Sequence, residues 1–202
     1  ALVALTSLRG VAWDCATGNG QVARVLANDF DRVYATDISQ QQLDYALQAA
    51  NIFYSVSGAE QTVFAENQFD LITVAQALHW FDLSRFYSEV NRTGKPGGLL
   101  AVWGYALLSV DPGVDELFLD FYNGKVGPYW DAARRLVENH YRDIAFPFDE
   151  IAGQEFSIKV KWNRDQFTGY LRSWSATQKY IRAHGEDPVE GFAKHLRSVW
   201  DP

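Results

Sequence analysis

From Gly10 to Trp103 the chain repeats one rhythm: a short apolar run, a polar or glycine-containing break, then apolar residues at helical spacing. Gly10–Trp13, Arg32–Thr36, Phe53–Val56, Phe69–Ala75 and Leu99–Trp103 read as strands. The run Phe69-Asp70-Leu71-Ile72-Thr73-Val74-Ala75 lacks the polar-out alternation of a half-wet strand, as expected where both faces are covered. Between the strands, Gln21–Asn28, Gln40–Asn51 and Leu83–Val90 carry apolar residues three and four apart and read as helices. Ser39 is placed to cap the second helix, and Lys95-Pro96-Gly97-Gly98 reads as a turn opening the fifth strand. Strands and helices alternating over short breaks define an α/β fold: a mostly parallel, twisted sheet with helices on both faces.

The second half changes character. Val114–Tyr122 and Asp131–Tyr141 read as helices flanking the turn-rich Asn123–Pro128. Phe156-Ser157-Ile158-Lys159-Val160-Lys161-Trp162 alternates cleanly and predicts a strand with one wet face. Arg164–Trp174, Ala176–His184 and Pro188–Val199 predict three further helices. No linker separates the halves. We therefore expect a single domain over 1–202, with a cofactor-binding half of about 1–105 and a helical, aromatic-rich elaboration of about 106–202.

Composition narrows the partners. A net charge of -7 argues against a chain that lives on phosphate contacts, so neither nucleic acid nor an anionic membrane surface is the expected partner. The longest apolar run, Leu99–Leu108, is shorter than the roughly 20 residues a bilayer requires. The single cysteine, Cys15, cannot form an internal disulfide and fits a reducing compartment, so a cytoplasmic location is expected. No metal-ligand spacing stands out, and no metal is expected.

The chemistry concentrates at Asp14-Cys15-Ala16-Thr17-Gly18-Asn19-Gly20, between the first strand and the first helix. Glycines suit a place where a ligand approaches the backbone closely or φ must be positive. The helix that follows would offer N–H groups to an anionic ligand. Asp37, at the end of the second strand, can accept two hydrogen bonds from the vicinal hydroxyls of a ribose. Together these residues describe a pocket for an adenosine-type ligand at the carboxyl edge of a parallel sheet. Gly18-x-Gly20-x-x-Ala23 also fits a dinucleotide fingerprint, which keeps a nicotinamide-dependent oxidoreductase as an alternative. Against it stand Asp14, an acid such folds do not need, and the lack of a Tyr-x-x-x-Lys pair. A non-catalytic nucleoside-binding module is the second alternative.

The ordered set is more specific than any one part. The acid-x-Ala-x-Gly-x-Gly loop, Asp37, Phe69-Asp70-Leu71-Ile72 and Lys95-Pro96-Gly97-Gly98 before an apolar strand resemble a class I S-adenosylmethionine-dependent methyltransferase with a Rossmann-like fold. Gln76-Ala77-Leu78-His79-Trp80-Phe81, Gly127-Pro128-Tyr129-Trp130 and Gly169–Ser175 resemble a small-molecule subgroup related to trans-aconitate methyltransferases. The resemblance implies S-adenosyl-L-methionine as cofactor and a small-molecule methyl acceptor, with O-methylation of a carboxylic acid as one form of the reaction. It places Ala16, Gly18 and Gly20 along the methionine end of the cofactor, with Asp14 near its amino group. Asp37 would take the ribose, Ile38 the adenine face, and Ala59 and Glu60 the adenine edge. Gln76 and Ala77 would lie beside the sulfonium, with His79 and Trp80 facing the acceptor. His79 is the candidate base, should the acceptor need one. Tyr129 and Trp130, after a Gly-Pro turn, are candidate acceptor-side residues. Asp14 also has a plainer reading, as a carboxylate that bonds its own loop.

Overall fold

The computed structural model describes residues 2–6, 8–105, 107–151 and 156–200. The chain falls into two compact units, Ala1–Ala106 with Asn139–Pro147, and Leu107–Glu138 with Phe148–Pro202.

The first unit is built on five parallel strands in the order β3-β2-β1-β4-β5. After a short helix α1 (Leu2–Leu5) come β1 (Val11–Cys15), α2 (Gln21–Leu26), β2 (Arg32–Asp37), α3 (Gln40–Asp44) and β3 (Ile52–Val56). They are followed by β4 (Phe69–Ala75), α4 (Leu83–Thr93) and β5 (Gly94–Trp103). This is the helix-flanked parallel sheet expected from the strand–helix rhythm. β1 is central: Ala12 and Trp13 are fully buried, and Asp14 pairs with Ala35 of β2 and Thr73 of β4. Alternation sends β1 side chains to opposite faces. Ala12 packs with Ala23 and Leu26 of α2 and with Phe30, while Trp13 meets Phe64 and Phe69.

Three local expectations in this unit are corrected. The helix read as Gln40–Asn51 stops at Asp44. The amide of Leu47 bonds the carbonyl of Asn19 (3.0 Å), so the chain after Asp44 is spent on the glycine loop instead of on further helical turns. Leu83–Val90 runs on to Thr93. Lys95–Gly98 is an irregularity inside β5, with a register shift opposite Phe69/Leu71. A Cβ on Gly98 would lie 2.9 Å from the Lys95 carbonyl, and Lys95 reaches the buried Asp70 carboxylate at 2.7 Å.

The second unit is helical: α5 (Pro112–Asp120), α6 (Arg134–Glu138), α7 (Arg164–Arg172), α8 (Ser175–His184) and α9 (Val189–Val199). A π-helical turn over Phe121–Lys125 continues α5. Its core joins Val114, Phe118, Phe121, Tyr122, Phe167, Leu171, Trp174, Phe192 and Leu196. The helix expected over Asp131–Tyr141 shortens to α6, because His140 and Tyr141 take left-handed backbone angles (φ 53° and 58°) that no α-helix continues. The strand expected over Phe156–Trp162 does not form: those residues belong to no ladder, and Phe156 and Ile158 are more than 70% exposed (72% and 75%). Alternation proposes a strand, but only a neighbour's N–H and C=O groups complete one, and no neighbouring strand lies among the described residues.

Candidate functional site: the carboxyl edge of the sheet

The loop after β1 is defined by backbone geometry. Ala16, Gly18 and Gly20 all have positive φ (54°, 56° and 79°). Thr17 fastens the loop to β2, its amide bonding the Thr36 carbonyl at 2.9 Å, and Gly20 closes a turn onto the Thr17 carbonyl at 3.0 Å. Beneath the loop lies Asp14, 1% exposed. One carboxylate oxygen accepts from the Thr17 hydroxyl and from the Ala23 amide (3.1 Å); the other accepts from the Thr73 hydroxyl (2.7 Å). Of the two readings open for Asp14, these bonds match the plainer one: it ties β1, β4, the loop and the start of α2 together. Burial pushes its pKa up from 3.8 to about 6, against the lowering effect of those hydrogen bonds. The helix expected to offer free N–H groups has six residues, and its Ala23 amide is already taken by Asp14. Cys15, beside Asp14, is 1% exposed, and burial holds its thiol well above the ordinary range.

Asp37 meets the loop directly. Its Oδ2 accepts from the Gly18 amide at 2.8 Å and its Oδ1 from the Ser39 amide at 2.9 Å. Ser39, not Asp37, caps α3 through Gln42. Each carboxylate oxygen keeps a further lone pair for a ligand hydroxyl. The residues fit a nucleoside cofactor at Gly18: a Cβ built there would meet nothing nearer than Gln42 Oε1 at 4.0 Å, so the backbone is open to approach. Ile38, next in sequence, is 79% exposed, an apolar face standing beside that carboxylate. The chain after β3 turns back to Asp37, the Ser57 amide bonding its carbonyl at 3.1 Å. Ala59 is buried, and Glu60 accepts from the Asp82 amide at the start of α4 (3.1 Å).

The end of β4 holds the remaining first-unit candidates. Gln76 has φ 56°, and its side-chain amide pairs with both backbone groups of Tyr105, accepting at 3.0 Å and donating at 3.2 Å. Ala77 is buried. His79 Nδ1 lies 3.0 Å from the Tyr141 hydroxyl, and the exposed Trp80 ring lies 4.7 Å from the His79 ring. Asp14, Ala16, Gly18, Gly20 and Asp37 thus meet around one loop, with the exposed Ile38 following Asp37 in sequence. Gln76, Ala77, His79 and Trp80 follow the adjacent strand.

Tyr129 and Trp130 belong to the second unit, where both rings have partners. The Tyr129 hydroxyl meets His184 Nε2, and Trp130 packs on Tyr122 and Trp174, with Arg134 over its face at 4.8 Å. Two residues that sequence reasoning missed complete the first-unit edge. Tyr54, in mid β3, lays its hydroxyl over Gly20 and donates to the Leu47 carbonyl at 2.6 Å. Tyr141 reaches His79 from 62 residues downstream. Neither carries a local signal, since both act through contacts distant in sequence.

Known proteins share this architecture. The methyltransferase domain family matches residues 13–102. A Dictyostelium discoideum protein provisionally named a methyltransferase is 32% identical over 195 residues, which cover 95% of this chain and 74% of that protein. The solved structure of a provisionally named type II methyltransferase from Anaeromyxobacter dehalogenans is 39% identical. It superposes with a TM-score of 0.89 over 98% of this chain and 85% of that one. A methyltransferase of Aspergillus candidus, CfoB, is 28% identical over 180 residues, which cover 78% of this chain and only 55% of its own length. The chain belongs to the methyltransferase domain family and is an S-adenosylmethionine-dependent methyltransferase. The oxidoreductase alternative is not favoured by these relatives.

Proposed function

We propose that this enzyme moves the methyl group of S-adenosylmethionine onto a small molecule, with a carboxylic acid as the acceptor class. The observation that carries the cofactor placement is the 2.8 Å bond between Asp37 and the Gly18 amide, which brings a ribose-competent carboxylate and an open glycine backbone into one site. In this reading Asp37 holds the ribose hydroxyls, Ile38 packs on adenine, and Ala59 and Glu60 border its edge. Ala16, Gly18 and Gly20 shape the methionine end, and Asp14 acts from beneath by holding their loop. Gln76 and Ala77 flank the sulfonium, and His79 and Trp80 face the acceptor.

When bound, the cofactor would supply an electrophilic methyl group on a sulfonium, to whose carbon the acceptor lone pair would bond as the carbon–sulfur pair leaves with a neutral thioether. The protein's contribution is orientation. Holding the two reactants in line is worth about 7–11 kcal/mol of barrier in well-oriented systems. A carboxylate acceptor is ionised at neutral pH and needs no base. The small-molecule class rests on the likeness of Gln76–Phe81 and Gly127–Trp130 to the trans-aconitate methyltransferase subgroup, and on the acidic net charge, which disfavours nucleic acid.

Calorimetry with S-adenosylhomocysteine tests the site. Binding is expected for the native chain, and Asp37→Ala should weaken it by about 2–3 kcal/mol, roughly a hundredfold, through loss of charged hydrogen bonds. Unchanged affinity in the variant would remove Asp37 from the site. Methyl-labelled cofactor incubated with a metabolite extract then tests the acceptor. Label in low-mass products that mild alkali releases as methanol is expected of a carboxylate ester. Alkali-stable label overturns the carboxylic acid, and label confined to protein or RNA overturns the small molecule.

A further inference from the structure

Residues 139–147 belong to the first unit although the chain on either side of them belongs to the second. This excursion delivers one side chain to the carboxyl edge of β4. His140 and Tyr141 sit consecutively in left-handed conformations, each costing of order 1–3 kcal/mol for a residue with a Cβ. Adjacent strain of this kind persists only where surrounding contacts fix it. Here the Tyr141 hydroxyl stands 3.0 Å from His79 Nδ1, and the two rings stack with centroids 6.2 Å apart. The Tyr141 ring also passes Gly104, where a Cβ would lie 3.3 Å from the Tyr141 ring and 2.7 Å from Gln76 Oε1. Gly104 at the end of β5 therefore admits both the ring and the Gln76 clamp.

The direction of the tyrosine–histidine bond follows from acidity. A phenol is a far stronger acid than a neutral imidazole N–H, and an imidazole nitrogen is the better base, so acidity favours the arrangement in which the hydroxyl donates and Nδ1 accepts. A neutral ring that accepts at Nδ1 carries its proton on Nε2. We propose that Tyr141 is a positioning residue whose hydroxyl fixes His79 in the Nε2–H form, as a hydrogen-bond donor and not a base, beside the site of methyl transfer. The inference rests on the proposed methyltransferase site and deepens it. An acceptor oxygen that meets Nε2 there meets a donor, which suits an oxygen already ionised and leaves this ring unable to deprotonate an alcohol.

Imidazole nitrogen-15 spectra of the full chain test this, with His79→Gln assigning the His79 signals among four histidines. The expected native spectrum has protonated Nε2 and an Nδ1 resonance moved upfield by an accepted hydrogen bond. In Tyr141→Phe that resonance moves downfield. Saturation with S-adenosylhomocysteine should shift the His79 signals in the native chain. Protonated Nδ1 in the native chain overturns the proposal without any variant. So does an Nδ1 signal unmoved in Tyr141→Phe, or a His79 ring indifferent to S-adenosylhomocysteine that calorimetry shows to be bound. Absence of calorimetric binding would instead defeat the cofactor site, and the native Nδ1 signal would still decide the tautomer.

Discussion

Asp14 shows what one buried carboxyl can cost and hold together. Its pKa in the folded chain is about 6, against 3.8 when exposed, so the folded state binds its proton more tightly. Stability from this group is greatest below about pH 4, falls as pH rises through about 6, and is flat above; the full difference is about 3 kcal/mol. Asp70 and Glu89 act in the opposite sense, since their lysine and arginine partners hold them below the usual carboxylate range. The isolating measurement is therefore a comparison of urea unfolding from pH 4 to 7 for the native chain and Asp14→Asn. The native chain should lose about 2 kcal/mol relative to the variant across that range. Parallel curves would mean that Asp14 does not titrate there. Asp14 also marks the limit of the sequence. Its position four residues before Gly18 identified it as part of the site, but whether it faced a ligand or its own loop depended on Thr73, 59 residues away.

At the scale of elements, what was legible followed from local pattern. β4 matches its apolar run residue for residue, and α8 begins one residue before the predicted start. What was illegible depended on distant partners. α3 ends early because Asn19 and Tyr54 engage Leu47, and the alternating 156–162 segment finds no ladder. The Tyr54–Gly20 contact yields a sharp expectation. A Cβ on Gly20 would stand 2.2 Å from the Tyr54 hydroxyl, on a backbone with φ 79°. Gly20→Ala should cost about 2–3 kcal/mol in thermal or urea unfolding, from left-handed strain plus displacement of that ring. Adding Tyr54→Ala should recover only the steric part, giving a coupling energy of about 1 kcal/mol or more in a double-mutant cycle. Strict additivity would show that the hydroxyl does not press on the glycine. In the second unit, Asn163 and Gln166 form a reciprocal capping box at the start of α7. Asn163→Ala should lower stability by about 1 kcal/mol, read by the same unfolding measurement, and no change would mean that the box is not held in solution.

On the scale of the whole molecule, the proposed cofactor contacts are carried by the first unit: the loop after β1, Asp37 after β2, and the residues after β4. The second unit has its own aromatic core. A ligand that binds only the folded state stabilises what it binds by RT ln(1 + [L]/Kd), about 2.7 kcal/mol at a hundredfold excess over Kd. Native-state hydrogen exchange with S-adenosylhomocysteine at that excess distributes the gain residue by residue. Amides of Ala12–Cys15 and Leu71–Val74, buried at the centre of the sheet, should slow by close to the full factor of about 100. Failure there would place the ligand elsewhere. The amides of Phe167, Leu171 and Leu196 then report on domain organisation, because no proposed cofactor contact lies in α7 or α9. They should slow by a similar factor under the sequence expectation of a single domain over 1–202, which would open its slowest amides only by unfolding as a whole. A gain confined to the sheet would mean that two cooperative units share the chain, with the cofactor stabilising only the first of them.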